Sequence, residues 1–351
     1  MTIWILGATG RTGREIATRV AARGGTPVLV GRNADRLRKT AADLGLGGVE
    51  VIATDDLPGE IGRRRPAVVV NTIGGYAETA VPIARACLPG GGHYVDLAND
   101  LVAMPRLLAL HDEAAAAGST FVTGAGFGVL GVEAVVARLC ADRVTPSRVR
   151  VDALPSVTIE GGPLGEALAQ SIVSGLTTGG LRFENGRMVP TRPAADPREH
   201  ALPDGEKAKS AGAPTGELLA AQLSSGAPEV VSTSGLMPTA PVLRAVLPLI
   251  RSLLKIGALR RFAVRRLGAI ELKPAPRPRE HSWGHAVVTW ADGTTREGWL
   301  RAGDAMEFTT SVTAETAVRL ARGEGRAGAY TPARALGPEL AEAAGATICQ
   351  L

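Results

Sequence analysis

Gly7, Gly10 and Gly13 recur at three-residue spacing in Gly7-Ala8-Thr9-Gly10-Arg11-Thr12-Gly13, directly after the apolar run Ile3–Leu6 and at the head of a segment, Thr12 to Arg23, with a helical repeat. Glycines in that setting let the backbone turn tightly and approach another molecule, while the N–H groups and dipole of a helix start favour an anion. The chemistry that fits is the cradling of a pyrophosphate at a strand-to-helix turn, with Gly7, Thr9, Gly10, Arg11, Thr12 and Gly13 as the contacts. A plain tight turn can show the same spacing, so the case rests on the strand before it and the helix after it.

About twenty residues past the loop, where an NAD-selective site usually carries a carboxylate for the ribose hydroxyls, the chain reads Gly31-Arg32-Asn33. Arg32, reinforced by Arg36 one turn later, suits a 2′-phosphate held bidentately, which makes NADP(H) the expected cofactor; the alternative for Arg32 is an ordinary solvated arginine. Asp55 and Asp56 are placed to edge an adenine pocket, and Asn71, Thr72 and Gly74 to lie beside a nicotinamide ribose. For proton handling the candidates are Asp96 and Tyr76, with Asp100 weaker; Asp96 suits a helix cap as well, and Tyr76 a half-buried packing aromatic. His281 and His285 share a strand face but lack a third ligand at supporting spacing, so no metal site is expected. Gly124-x-Gly126-x-Gly128 marks either a second phosphate loop or a close backbone approach, the latter being the milder reading, and Cys87 and Cys140 look like core thiols.

These side chains need a scaffold that delivers loops to one edge. Up to about residue 150, short β-branched runs alternate with helical segments: Ile3–Leu6, Val28–Val30, Val49–Ile52, Val68–Asn71, Tyr94–Asp96 and Phe121–Thr123 read as strands, with Ile16 and Val20, then Leu37, Ala41 and Leu44, as helix faces between them. That pattern is a doubly wound parallel α/β sheet of Rossmann type. Beyond it, residues 185–217 read as a long excursion, and 236–267 as one or two basic amphipathic helices interrupted at Pro248 and Gly257. His285–Trp290, a turn at Asp292-Gly293 and Thr294–Leu300 form a hairpin, with Glu307–Val312 as a further antiparallel strand.

Several of these motifs together resemble the saccharopine dehydrogenase-like NADP-binding oxidoreductases. The resemblance rests on residues 5–13, Gly31-Arg32, Val70-Asn71-Thr72-Ile73-Gly74-Gly75-Tyr76, His93-Tyr94-Val95-Asp96-Leu97, Gly124-Ala125-Gly126-Phe127 and the segment Gly328 to Gly337. Departures are Gly75 in place of a proline, Asn99-Asp100 where many members have Gly-Glu, and Gly128 and Gly131 where many have Asp and Pro. What the resemblance implies is a Rossmann-type domain with a second α+β domain containing an antiparallel sheet, and NADPH-dependent hydride transfer to a C=N or C=C bond of a small metabolite, or the reverse. The domain boundaries expected are 1–133 for the NADP-binding domain, completed by 325–351, and 134–324 for a substrate-binding and dimerisation domain.

Composition limits the alternatives. A chain of 351 residues with 45% hydrophobic content has room for two domains, and a net charge of +5 spread along it does not describe a nucleic-acid binder. Three cysteines without a C-x-x-C pair, and no signal-like or membrane-spanning run, lead to the expectation of a cytoplasmic protein. Two other functions fit: a non-catalytic NADP(H)-binding sensor or scaffold, and a peripheral-membrane reductase of a lipid-like substrate touching the membrane surface through 236–267. Helices packed on the second domain, or in a homodimer interface, are the plainer use of that segment.

Overall fold

In the computed structural model, which describes residues 2–350, the β-branched runs assemble into a seven-stranded parallel sheet. The strands are β1 (Thr2–Leu6), β2 (Thr26–Gly31), β3 (Val51–Ala53), β4 (Val68–Asn71), β5 (His93–Asp96), β6 (Thr120–Val122) and Gly328–Tyr330, ordered β3-β2-β1-β4-β5-β6 and then Gly328–Tyr330. Helices cover both faces, so Ile3, Ile5, Val68, Val70 and Val95 are buried along with the residues between them, and the strands show no polar alternation. α1 (Arg11–Ala22) buries Ile16, Ala17 and Val20, and α2 (Ala34–Asp43) buries Leu37 and Ala41. α3 (Leu57–Arg64) starts on an Asp56 cap, and α4 (Tyr76–Cys87) starts from Gly75 in the left-handed region, φ 75°. Strand order reverses between β1 and β4, and their carboxyl ends therefore flank the crevice where open α/β sheets bind ligands.

The chain divides into two compact units, Met1–Leu130 with Met306–Gly345, and Gly131–Ala305 with Ala346–Leu351. The return to the first unit thus begins at 306 instead of 325. Residues 307–312, expected as a strand, lie in the helix Ala305–Ala321. Thr309, Thr310, Val312 and Thr313 favour a strand locally, yet Phe308, Val312, Ala317 and Leu320 are buried, a helical repeat. The threonines settle into the helix by donating to carbonyls one turn back, Thr313 Oγ1 to Thr309 O at 2.9 Å and Thr310 Oγ1 to Glu307 O at 2.9 Å. The last strand, Thr347–Gln350, pairs antiparallel with Thr295–Ala302 and so completes the second unit, not the first.

The second unit is built on a nine-stranded sheet. At its centre Arg148–Leu154 pairs parallel with Glu229–Ser234 and antiparallel with Ser282–Thr289; the other pairings are antiparallel. The hairpin Ser282–Thr289 to Thr295–Ala302 turns at Gly293, φ 83°, with Asp292 Oδ1 accepting from Thr294 N, as the Asp-Gly signal indicates. The supposed excursion at 185–217 holds the strands Arg187–Thr191, Arg198–Ala201 and Lys207–Gly212: the first two are short and mostly exposed, and the third alternates with only the small residues Ala208 and Ser210 on its buried side. Helix Pro241–Leu254 continues through Pro248, which is exposed, and the next helix, Gly257–Gly268, follows directly. Among the described residues no helix is long and apolar enough to cross a membrane.

Candidate functional site

The glycine loop folds as a turn that only glycine fits. Gly7 takes φ 75°, its N–H donates to Val30 O at 3.0 Å, and Gly10 N closes the turn on Gly7 O at 2.9 Å. A Cβ on Gly13 would stand 2.6 Å from Gly7 O and 2.9 Å from the Ala8 Cα, both backbone atoms that cannot yield. The start of α1 is therefore pressed against the end of β1. Gly10 occupies the N-cap with no side-chain hydrogen bond, and no acid stands in the first turn, so the positive end of the helix dipole is left to an outside anion. Thr9, Gly10 and Arg11 are exposed and Thr12 half-buried at this edge, an arrangement that fits a dinucleotide pyrophosphate.

Thr72 joins the neighbouring loop to this one. Its N and Oγ1 both donate to Leu6 O, at 3.2 and 2.7 Å, which sets residues 71–76 beside Gly7 across the switch point. On the other side Arg32 leaves the end of β2 exposed, ahead of the Asn33 cap whose Oδ1 accepts from Arg36 N at 2.9 Å. Arg36 is exposed in the first turn of α2, and Thr54 N bonds Gly31 O at 2.9 Å, keeping exposed Asp55 near the end of β2. Asp56 is committed to capping α3 through Gly59 N at 3.0 Å.

Asn71 and Asp96, singled out as ligand-facing, are both fully buried and joined through Tyr94. Asn71 Nδ2 donates to the Tyr94 hydroxyl at 3.0 Å, Asn71 Oδ1 accepts from Ile73 N at 3.0 Å, and the Tyr94 hydroxyl donates to Asp96 Oδ2 at 3.0 Å. Asp96 Oδ1 takes Thr123 Oγ1 at 2.8 Å, Ala98 N at 3.1 Å and Gly124 N at 3.3 Å. Burial pushes the Asp96 carboxyl up to about 6, against the pull of those donors. Its place is a keystone tying the loops after β4, β5 and β6, and Asn71 likewise pins its loop from inside. Sequence reasoning passes over Tyr94, although two-residue alternation along β5 puts it on the same face as Asp96.

Tyr76 is half-buried at the start of α4, its ring against the sheet core and its hydroxyl against the Leu97 backbone. Desolvation and the nearby charges of Asp96 and Asp100 push the phenol far above its ordinary range, so it stays protonated as a hydrogen-bond donor. Asp100 caps the following turn, Oδ1 accepting from Val102 N and Ala103 N at 3.0 and 2.7 Å. Gly124, at φ 80°, and Gly126 serve close packing: Cβ atoms there would meet Val129 Cγ2 at 2.9 Å and Thr309 Cγ2 at 3.0 Å.

The second unit holds a polar cluster that the His281–His285 spacing does not describe. His281 lies outside the strand, while His285 Nδ1 bonds Asp152 Oδ2 at 2.8 Å and its Nε2 bonds Glu297 Oε1 at 2.9 Å. Arg150 Nε and Thr233 Oγ1 reach Asp152 Oδ1 at 3.0 and 2.5 Å, and His200 Nε2 lies 3.6 Å from it. Asp152, His200 and His285 offer ligand atoms within 4.8 Å of one another, a geometry open to a metal, but Arg150 already supplies the cation beside the carboxylate. Burial raises the Asp152 carboxyl, and the His285 hydrogen bond with the charges of Arg150, His285 and His200 outweighs it, holding the group well below the usual range. The partners stand up to 133 positions apart, which hides the cluster from motif reading.

Residues 3–122 match the saccharopine dehydrogenase NADP binding domain. This segment, about a third of the chain, is similar to that family's NADP-binding domain. Its cofactor is accordingly NADP(H), which agrees with the loop, the uncapped helix and the exposed arginines after β2. The trans-acting enoyl reductases of Mycobacterium bovis and Mycobacterium tuberculosis are 32% identical over 133 residues, covering 36% of this chain and 32% of each relative. The match thus spans about a third of those relatives' length. The apo saccharopine dehydrogenase (L-Glu forming) from Saccharomyces cerevisiae shares the fold, with TM-score 0.60 at 12% identity over 98% of this chain and 96% of that one.

Proposed function

We propose that the protein is an NADPH-dependent oxidoreductase that reduces a C=C bond conjugated to a carbonyl in a small metabolite. The observation that carries this reading is the place of Tyr76: a phenol, protonated at neutral pH as any tyrosine is, at the first residue of the helix after β4, on the nicotinamide side of the switch point. NADPH supplies the hydride when bound. Arg32 and Arg36 hold the 2′-phosphate, the start of α1 holds the pyrophosphate, and the Asn71–Tyr94–Asp96 network fixes the loops that flank the reacting end.

Reduction of an enoyl group places negative charge on the carbonyl oxygen, and a hydrogen-bond donor aimed there lowers the barrier. Tyr76 provides that donor without giving up its proton, and solvent protonates the remaining carbon. An imine substrate is cationic when reactive and calls for an accessible carboxylate, and Asp96 is enclosed by four donors. The naming of the sequence relatives as enoyl reductases points the same way.

The test is a panel of α,β-unsaturated carbonyl compounds and imines offered with NADPH carrying deuterium at the nicotinamide C4. The reading predicts deuterium on the β-carbon of an enoyl product. Deuterium appearing only on imine carbons overturns the choice of bond, and tight NADPH binding with no turnover on any compound favours the sensor or scaffold.

A further inference from the structure

Between Glu229 and Glu271 the chain has no acidic residue but seven arginines and lysines, from Arg244 to Arg266. Most of this stretch forms helices Pro241–Leu254 and Gly257–Gly268. One side of the first helix is committed to its own unit. Leu247 and Leu254 are buried there, Arg244 Nε donates to Ala194 O at 2.8 Å, and Arg251 Nε donates to Thr177 O at 3.2 Å.

The opposite side is apolar and bare. Val242, Val246, Leu249 and Leu253 follow at spacings of four, three and four, which sets them in one stripe, with exposures of 75, 44, 62 and 47%, and Ile256, 53% exposed, follows in the link to the next helix. In the second helix Val264 turns inward, whereas Leu259 and Phe262 are 40 and 52% exposed and the Arg266 guanidinium lies 5.5 Å over the Phe262 ring. Monomers rarely leave so continuous an apolar strip in water.

We infer that this face docks on an anionic lipid bilayer, the aliphatic stripe entering the acyl boundary and the flanking cations meeting phosphates. The inference stands apart from the proposed reaction. Charge selects the occupant. A symmetric dimer through this face would set the same cations against themselves, with no acid in the segment to offset them. A protein partner needs hydrogen bonds at regular intervals over its interface, and the stripe from Val242 to Leu253, about 17 Å long at 1.5 Å per residue, offers no polar side chain. A bilayer asks for what is present: an apolar ridge, long cationic side chains that keep their heads at phosphate level, and no acids.

The experiment is flotation of the full chain with phosphatidylcholine vesicles and with vesicles that also contain phosphatidylglycerol. Two variants accompany it, Arg261→Gln/Arg265→Gln/Arg266→Gln and Leu249→Ser/Leu253→Ser, all at exposed positions. The chain should float with the anionic vesicles only and be released by high salt. The charge variant should bind on the order of a hundredfold more weakly, and the serine variant should not float, while both keep NADPH affinity and melting midpoint. Equal binding to both vesicle types overturns the inference. So does failure to float with anionic vesicles, whether the face then proves to join two copies, seen as a dimer in sedimentation velocity that the serine variant dissolves, or to hold an acidic protein.

Discussion

Replacing Asp96 by asparagine keeps the shape of the keystone and removes its titration, which turns the burial of one carboxylate into a measurable slope. In the native protein Oδ1 accepts three donors and Oδ2 one, the Tyr94 hydroxyl. An amide in the same position retains the first three but presents N–H₂ to Tyr94, which already accepts from Asn71, so the Tyr94 proton loses its acceptor. That orphaned group costs about 1–3 kcal/mol at every pH. The pH-dependent part comes from the carboxyl being raised from 3.8 to about 6 in the fold. A raised acid contributes stability that is fully present below its unfolded pKa and is lost as pH rises through its folded pKa. The window is therefore pH 4 to 7. Native stability relative to Asp96→Asn should grow by about 1 kcal/mol from pH 7.5 to pH 5 and by about 2 at pH 4, approaching about 3 below that. Urea unfolding of both proteins at several pH values measures it, and the carboxylates they share cancel in the difference. A difference flat across this range, or one that falls toward acid, would refute the assignment of Asp96 as a buried carboxylate whose charged form the fold disfavours.

Four further outcomes follow from the same geometry. Gly13→Ala forces a Cβ into Gly7 O, so NADPH binding by titration should be lost along with about 1–3 kcal/mol of stability. Tyr76→Phe should lower kcat on the order of a hundredfold or more with NADPH affinity unchanged, as expected for a donor acting on the transition state. Asp152→Ala strands Arg150, Thr233 and His285 and should cost about 3–5 kcal/mol in thermal or urea unfolding. Because the Asp152 carboxyl is held low, its contribution is present above its unfolded pKa and lost as pH falls, opposite in sign to that of Asp96; the destabilisation by Asp152→Ala should shrink in strong acid.

The parallel sheet is readable from sequence because its strands are buried on both faces and each ends in a loop rich in glycine or polar residues. The glycine loop and the positions of Arg32 and Tyr76 just past strand ends are readable for a related reason: position relative to a strand end is local information. Helix Ala305–Ala321 is not, since its threonines argue for a strand and only the packing of Phe308, Val312 and Leu320 overrides them. Asp96 shows a subtler limit. Its loop is evident from the chain, but whether a carboxylate faces a ligand or closes a core depends on Tyr94, Thr123 and Gly124 converging on it, and no spacing rule contains that. The Asp152 cluster, assembled from five strands, is beyond local reading for the same reason.

Cofactor choice is tested most directly by a fluorescence titration of the protein with NADPH and with NADH, repeated on Arg32→Ala. Tighter binding of NADPH is expected, with a variant in which NADPH weakens toward NADH while NADH is unchanged, because the arginine meets only the 2′-phosphate. Equal affinity of the native protein for both nucleotides, or a variant that loses both alike, would contradict the placement of the cofactor along the β1–β2 edge of the sheet.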